Sequence, residues 1–124
     1  MAQSARTVAA LRALATAFTD SARDLVGLAA RAEHLAGELE SGMDLASALT
    51  AEARPLVVTR LTQLGDILNQ AGAEVRRAEA RQLREEGLTQ EAVAELFGVS
   101  RQRVAALLKP PPTAGPFRPA APGG

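Results

Sequence analysis

The side chains best suited to binding chemistry lie between Val99 and Lys109, in the sequence VSRQRVAALLK. Arg101 and Gln102 are adjacent in it. Arginine and glutamine are the side chains that form paired hydrogen bonds with the edges of guanine and adenine, respectively. No aspartate or glutamate occurs from Gly98 to the C-terminus, so the charge of this segment is purely positive. The residue types therefore indicate recognition of a nucleic acid rather than catalysis.

A helix that begins after Ser100 is predicted to position these side chains. Ser100 is suited to the N-cap, and Pro110 ends the helix because proline cannot continue it. If Val104 and Leu107 are buried, the step of about 100° per residue turns other side chains away from the core. The outward residues are Gln102, Ala106 and Lys109, with Arg101 and Arg103 on the flanks.

Another short helix is predicted directly before the one that begins after Ser100. Gly87 stops the preceding helix, and Thr89 is suited to the next N-cap. The helix is expected to run from Gln90 to Phe97. It ends at Gly98, since glycine readily adopts the left-handed conformation found at helix C-termini.

The stretch QEAVAELFGVSRQRVAALLK, residues 90–109, resembles the helix-turn-helix of bacterial repressors and of the DNA-binding end of sigma factors. In this resemblance Ala94 is the small residue at the helix crossing, and Gly98 is the turn glycine. Phe97 occupies the apolar position before the glycine. The buried apolar positions fall on Val93, Val99, Val104 and Leu107.

The resemblance implies binding to double-stranded DNA, with the last helix in the major groove. Bases are expected to be contacted by Arg101, Gln102 and Ala106. Phosphates are expected to be contacted by Thr89, Gln90, Ser100, Arg103 and Lys109. The alternative interpretation is an ordinary solvated surface helix, and the nearby acidic residues Glu91 and Glu95 favour it.

The N-terminal region predicts one long helix over residues 4–40, which contain no proline. Apolar residues recur there at alternating steps of three and four for more than four heptads, as in a coiled coil about 50 Å long. We call this set the first-helix stripe. It consists of Val8, Leu11, Ala15, Phe18, Ala22, Leu25, Ala29, Ala32, Ala36 and Leu39.

A second long helix is predicted to return along the first. Gly42 is suited to a helix end and Asp44 to the next N-cap, while Pro55 breaks the chain and starts the helix that follows. The apolar heptad pattern of this second long helix comprises Val57, Leu61, Leu64, Leu68, Ala71, Val75 and Ala78. The two patterns are expected to face each other in an antiparallel hairpin.

A two-helix hairpin has little interior, and further apolar residues are left over. They are Leu14, Leu28, Leu35, Leu56 and Ile67. This surplus favours a homodimer through the N-terminal helices over a monomer with half-covered leucines.

Composition and charge narrow the class of protein. The chain has no cysteine and one histidine, which excludes a thiolate or histidine-based metal site within one chain, and it contains no catalytic motif. Residues 1–75 carry six arginines and nine carboxylates, a net charge of −3, whereas residues 76–124 carry eight basic and five acidic residues, a net charge of +3. No run is long and apolar enough for a membrane span. A protein of the cytoplasm and nucleoid is expected, without a cofactor. The sequence neither supports nor excludes a small-molecule ligand.

The sequence thus predicts an all-α protein: a long, coiled-coil-like antiparallel helical hairpin for oligomerisation over residues 1–75, a helix-turn-helix over 76–109, and a disordered proline-rich tail over 110–124. The predicted function is that of a non-enzymatic bacterial DNA-binding protein, either a transcriptional regulator or a nucleoid-associated protein. The alternative is a helical protein-interaction module that binds a transcription-machinery or regulatory partner.

Overall fold

The computed structural model describes residues 2–110, and all regular secondary structure within that range is helical. The all-α class is therefore confirmed. The elements are α1 (Ala2–Glu40), α2 (Leu45–Ala51), α3 (Val57–Glu85), α4 (Gln90–Phe97) and α5 (Arg101–Leu108). They form two compact units, the first ending at Ala78 and the second beginning at Glu79. Apart from Pro110, the predicted tail lies outside the described residues.

The turn between α1 and α2 forms where glycine and aspartate predicted it. Gly42 has a φ of 103° after the end of α1, a conformation that favours glycine. Asp44 caps α2: its carboxylate accepts hydrogen bonds from the Ser47 amide at 3.0 Å and the Ser47 hydroxyl at 2.8 Å. These bonds hold the pKa of Asp44 below its ordinary value, because they stabilise the charged carboxylate.

Contacts between α1 and α3 show that the two helices run in opposite directions. Near the start of α1, the Gln3 amide donates to the Ala78 carbonyl oxygen at 3.2 Å. Further along, the Asp24 carboxylate is paired with Arg60. Residues early in α1 therefore contact residues late in α3, and later residues of α1 contact earlier residues of α3. The two helices are antiparallel, as predicted for the hairpin.

The face of α1 that lies against α3 differs from the predicted one. The first-helix stripe is exposed: 43% of Val8, 55% of Phe18 and 43% of Leu25 remain accessible to solvent. The inward line instead includes buried Ser21 and Leu28. On the same line are Leu14 and Leu35, which the sequence pattern had left over, both partly buried.

Polar partners explain why α1 turns this other face inward. Gln3, Asp24 and Arg31 all lie on the inward line, and each binds a partner from Glu52 onward in the chain. Burying the first-helix stripe against α3 instead would turn these groups away from their partners. A hydrogen bond within the protein contributes about 1 kcal/mol, and more when a charged group takes part, so these bonds together favour the inward line over the more regular apolar stripe.

Arg31 fixes the connection between α2 and α3. Its guanidinium donates to the Glu52 carboxylate at 3.0 Å and to the carbonyl oxygens of Ala53 and Pro55 at 2.7 and 2.8 Å. Glu52 in turn accepts a hydrogen bond from the Val57 amide at 3.2 Å. The start of α3 is therefore at Val57 and not at Pro55 as predicted, because Pro55 belongs to the connection that Arg31 binds.

Replacing Arg31 with methionine is expected to lower the free energy of unfolding by about 2 kcal/mol, since its bonds to a carboxylate and to carbonyl groups are lost. The matched control is Arg23→Met on the same helix, where the side chain is 78% exposed and pairs with exposed Asp20. The control should change stability by less than about 0.5 kcal/mol. Urea denaturation followed by circular dichroism measures both, and equal effects would contradict the role of Arg31.

Candidate nucleic-acid interface

The second unit is built around a small apolar cluster to which α3, α4 and α5 all contribute. Val93 of α4 and Val104 of α5 are completely buried, as is Ala80 near the end of α3. The cluster consists of Ala80, Val93, Ala94, Val104 and Leu107, and Leu83, Leu88, Phe97 and Leu108 pack against it, partly buried. The predicted motif core is thus assembled at Val93, Ala94, Val104 and Leu107, with Phe97 at its edge.

Side-chain caps fix where α4 and α5 begin. The Thr89 hydroxyl accepts a hydrogen bond from the Ala92 amide at 3.1 Å, and the Ser100 hydroxyl accepts one from the Arg103 amide at 3.0 Å. Both predicted N-caps are therefore confirmed. The remaining amides at each helix start keep the partial positive charge that favours an anion nearby.

Gly98 forms the turn between the two helices. It has φ 69° and ψ 34°, and its amide donates to the carbonyl oxygens of Ala94 and Glu95. The Val99 amide also donates to the Ala94 carbonyl, at 3.0 Å. This left-handed C-cap is the conformation predicted for the glycine.

Val99 departs from the predicted motif core, because 38% of it is exposed. It lies in the turn, between the Gly98 cap of α4 and the Ser100 cap of α5. Its neighbours Gly98 and Ser100 are exposed as well. The apolar cluster is closed instead by residues of the helices and by Leu88 of the turn before α4.

The predicted base-contacting residues lie on the exposed side of α5. Arg101, Gln102 and Ala106 are all exposed, while Val104 and Leu107 of the same helix are buried. Of the predicted phosphate contacts, Thr89, Ser100, Arg103 and Lys109 are exposed and Gln90 is half-buried. The buried valine and leucine thus hold one face of α5 inward and leave its first turn accessible.

The two capping hydroxyls remain able to bind a phosphate. Thr89 and Ser100 each use an oxygen lone pair to accept the capping amide. A hydroxyl group carries one proton as well, which it can donate to a phosphate oxygen at the same time. Their structural role and their predicted binding role are therefore compatible.

An ion pair that the sequence did not reveal links α4 to α5. The Arg101 guanidinium lies 3.5 Å from the Glu91 carboxylate, with the two side chains 66% and 78% exposed. Such an exposed pair contributes at most about 1 kcal/mol and is screened by salt. Glu91 thus holds Arg101 loosely and competes with any anionic ligand for it.

A contact of Arg84 that the sequence did not reveal helps to join α3 to α4. The Arg84 guanidinium donates to the Leu88 carbonyl oxygen at 2.6 Å, across the turn at Gly87. An arginine in the last turn of a helix, just before a glycine, is the sequence signal that could have indicated this contact.

Comparison with protein-family models, with curated proteins and with solved structures gave no match. Within residues 2–110, no helix combines the length and the apolar character needed to cross a membrane. Over the same range, no three histidine or carboxylate side chains are grouped so as to hold a metal ion. The geometry of the second unit is therefore what bears on function.

Gly98→Ala is expected to destabilise the second unit by about 1 kcal/mol through its left-handed φ alone. A methyl group at this position meets no atom within 4 Å, so no steric clash contributes. Gly27→Ala in α1 is the matched control: it also adds a methyl group in open space, but in helical backbone, and should stabilise by about 0.5 kcal/mol. Thermal denaturation measures both, and a stabilising Gly98→Ala would contradict the role of the turn.

Proposed function

We propose that this chain is a non-enzymatic DNA-binding protein, a transcriptional regulator or nucleoid-associated protein that inserts α5 into the major groove. The observation that supports this best is the exposed first turn of α5. There Arg101, Gln102 and Arg103 are accessible while Val104 directly after them is fully buried. The five residues between Gly98 and Val104 thus join a rigid core to side chains able to bond base edges.

The shape and charge of α5 both favour entry into a groove. The helix contains no carboxylate, and its exposed residue on the second turn is Ala106, which is too small to obstruct an approach to the bases. Arg103 in the first turn of α5 and Lys109 directly after its last residue are both exposed, so each can bond a phosphate. Arg101 and Gln102 then read guanine and adenine, respectively.

The affinity of a single unit is expected to be weak, because few cations face the DNA and Glu91 and Glu95 lie on α4. Two copies acting together on half-sites about one helical turn apart would provide the missing affinity. A dimer bound to chromosomal DNA would place the protein in the nucleoid.

A second candidate function is supported by the exposed first-helix stripe. An apolar face of this length is typical of a protein-binding surface, so the chain can also be a helical interaction module for a partner in the transcription machinery. In that case, α5 would contribute nothing to DNA affinity.

Fluorescence anisotropy with a pool of random DNA duplexes of roughly three helical turns separates the two functions. Arg101→Ala combined with Gln102→Ala is expected to weaken binding at least about tenfold and to reduce its dependence on salt. The matched control is Arg23→Ala with Gln70→Ala, an exposed pair of the same residue types in the first unit. Equal binding by wild type and both variants would reject DNA recognition by α5.

Glu91→Gln should have the opposite effect and tighten DNA binding several-fold. The substitution frees Arg101 from its ion pair and removes a negative charge beside the phosphates. Asp66→Asn, at an exposed position of α3, changes the net charge by the same amount and serves as control. If both variants gain affinity equally, the effect arises from net charge, and Glu91 does not face the DNA.

A further inference from the structure

We propose that the first-helix stripe binds the same stripe of a second copy of this chain, with the two α1 helices antiparallel. All ten residues of the stripe are exposed in the single chain, although they form the longest unbroken apolar heptad pattern of the sequence. The inward line of α1 is already occupied by its contacts within the first unit. The stripe is therefore an apolar surface that the fold of one chain leaves uncovered.

The exposed area is large enough for a stable dimer. Leu11, Phe18 and Leu25 retain 45%, 55% and 43% of their surface, and Val8 and Leu39 retain 43% and 40%. Together with the exposed alanines, they present on the order of 600 Å² of apolar surface per chain, the upper end for the largest patch of a monomer. Pairing two such stripes would bury roughly 1,200 Å², which lies within the range of specific interfaces.

The order of large and small residues makes the stripe complementary to itself in one direction. In an antiparallel coiled coil, positions at equal distances from the centre face each other, and the centre of this stripe lies between Ala22 and Leu25. Three of the five facing pairs then join a large side chain to an alanine: Phe18 faces Ala29, Leu11 faces Ala36 and Leu25 faces Ala22. The other two pairs are Val8 with Leu39 and Ala15 with Ala32. Such pairing of large with small residues allows close interdigitation without voids.

The charges beside the stripe favour the same direction. Arg12 and Glu33 flank it on the side away from α3, and both are exposed. Antiparallel pairing brings Arg12 of each copy near Glu33 of the other, so that two ion pairs form. Parallel pairing would instead place Arg12 of one copy at the level of Arg12 of the other, and Glu33 at the level of the other copy's Glu33. Charge complementarity therefore selects the antiparallel dimer.

This proposal does not rest on DNA binding, because its surface is in the first unit and its tests are made without DNA. Analytical ultracentrifugation of the full chain should show a dimer at tens of micromolar. Phe18→Glu should raise the dissociation constant roughly 30-fold or more, since it places a charge within the apolar interface. Val58→Glu, at a residue of α3 that is 71% exposed, should leave the dimer intact. A monomeric wild type, or a dimer broken by Val58→Glu and not by Phe18→Glu, would overturn the proposal.

Charge reversal tests the direction of the helices. Arg12→Glu and Glu33→Arg should each weaken the dimer several-fold, and the double variant should restore wild-type affinity. Both residues are exposed, so the variants are expected to fold, which circular dichroism checks. If the double variant is weaker than either single variant, the antiparallel pairing is wrong.

Because the chain contains no cysteine, single cysteines can test the register directly. A mixture of Ala15→Cys and Ala32→Cys should form a disulfide-linked heterodimer on oxidation. Neither variant alone should crosslink, because antiparallel pairing places identical positions about 25 Å apart along the helix. Ala13→Cys lies off the stripe and should not crosslink to Ala32→Cys. Efficient crosslinking of Ala32→Cys to itself would indicate a parallel dimer and overturn the proposal.

Discussion

Val93 and Val104 are completely buried in one apolar cluster, with Ala80 beside them. Each comes from a helix of only eight residues, too short to be stable alone in water. The helices α4 and α5 are therefore helical because they pack on each other and on the end of α3. A small residue at Ala94 lets them approach closely, and a left-handed glycine at Gly98 lets the chain turn between them. The position of every exposed side chain of α5 depends on this packing of α4 and α5 on the end of α3.

The same packing explains why the first turn of α5 is held in place although its side chains are exposed to solvent. Val104 is buried three residues after Arg101, so the first turn of α5 is held by the core although its own side chains are exposed. The crossing also brings Arg101 to Glu91 across two helices. A weak carboxylate partner of this kind lowers non-specific attraction to any polyanion, and it costs little to displace when bases offer better geometry. The proposed interface is thus modest in charge.

Features set by neighbouring residues were predictable, and features set by distant contacts were not. Thr89 and Gly98 define helix ends through bonds within a few residues, so their roles follow from the local sequence. The inward face of α1 was predicted wrongly, because periodicity offers two apolar lines, one with Phe18 and one with Leu28. The choice depends on the partners of Arg31, more than 20 residues along the chain. Periodicity alone carries no information on such partners.

The inward line of α1 has a thermodynamic consequence. It contains Gln3, Ser21, Asp24 and Arg31 among its leucines and alanines, so the hairpin buries little apolar surface for its length. Unfolding of such a hairpin changes the heat capacity only slightly, and its stability curve is therefore broad and shallow. Much of the apolar surface of α1 lies instead on the first-helix stripe. Association through that stripe would carry the larger heat-capacity change, so cooling would weaken the contact between two chains before it weakened the fold of either.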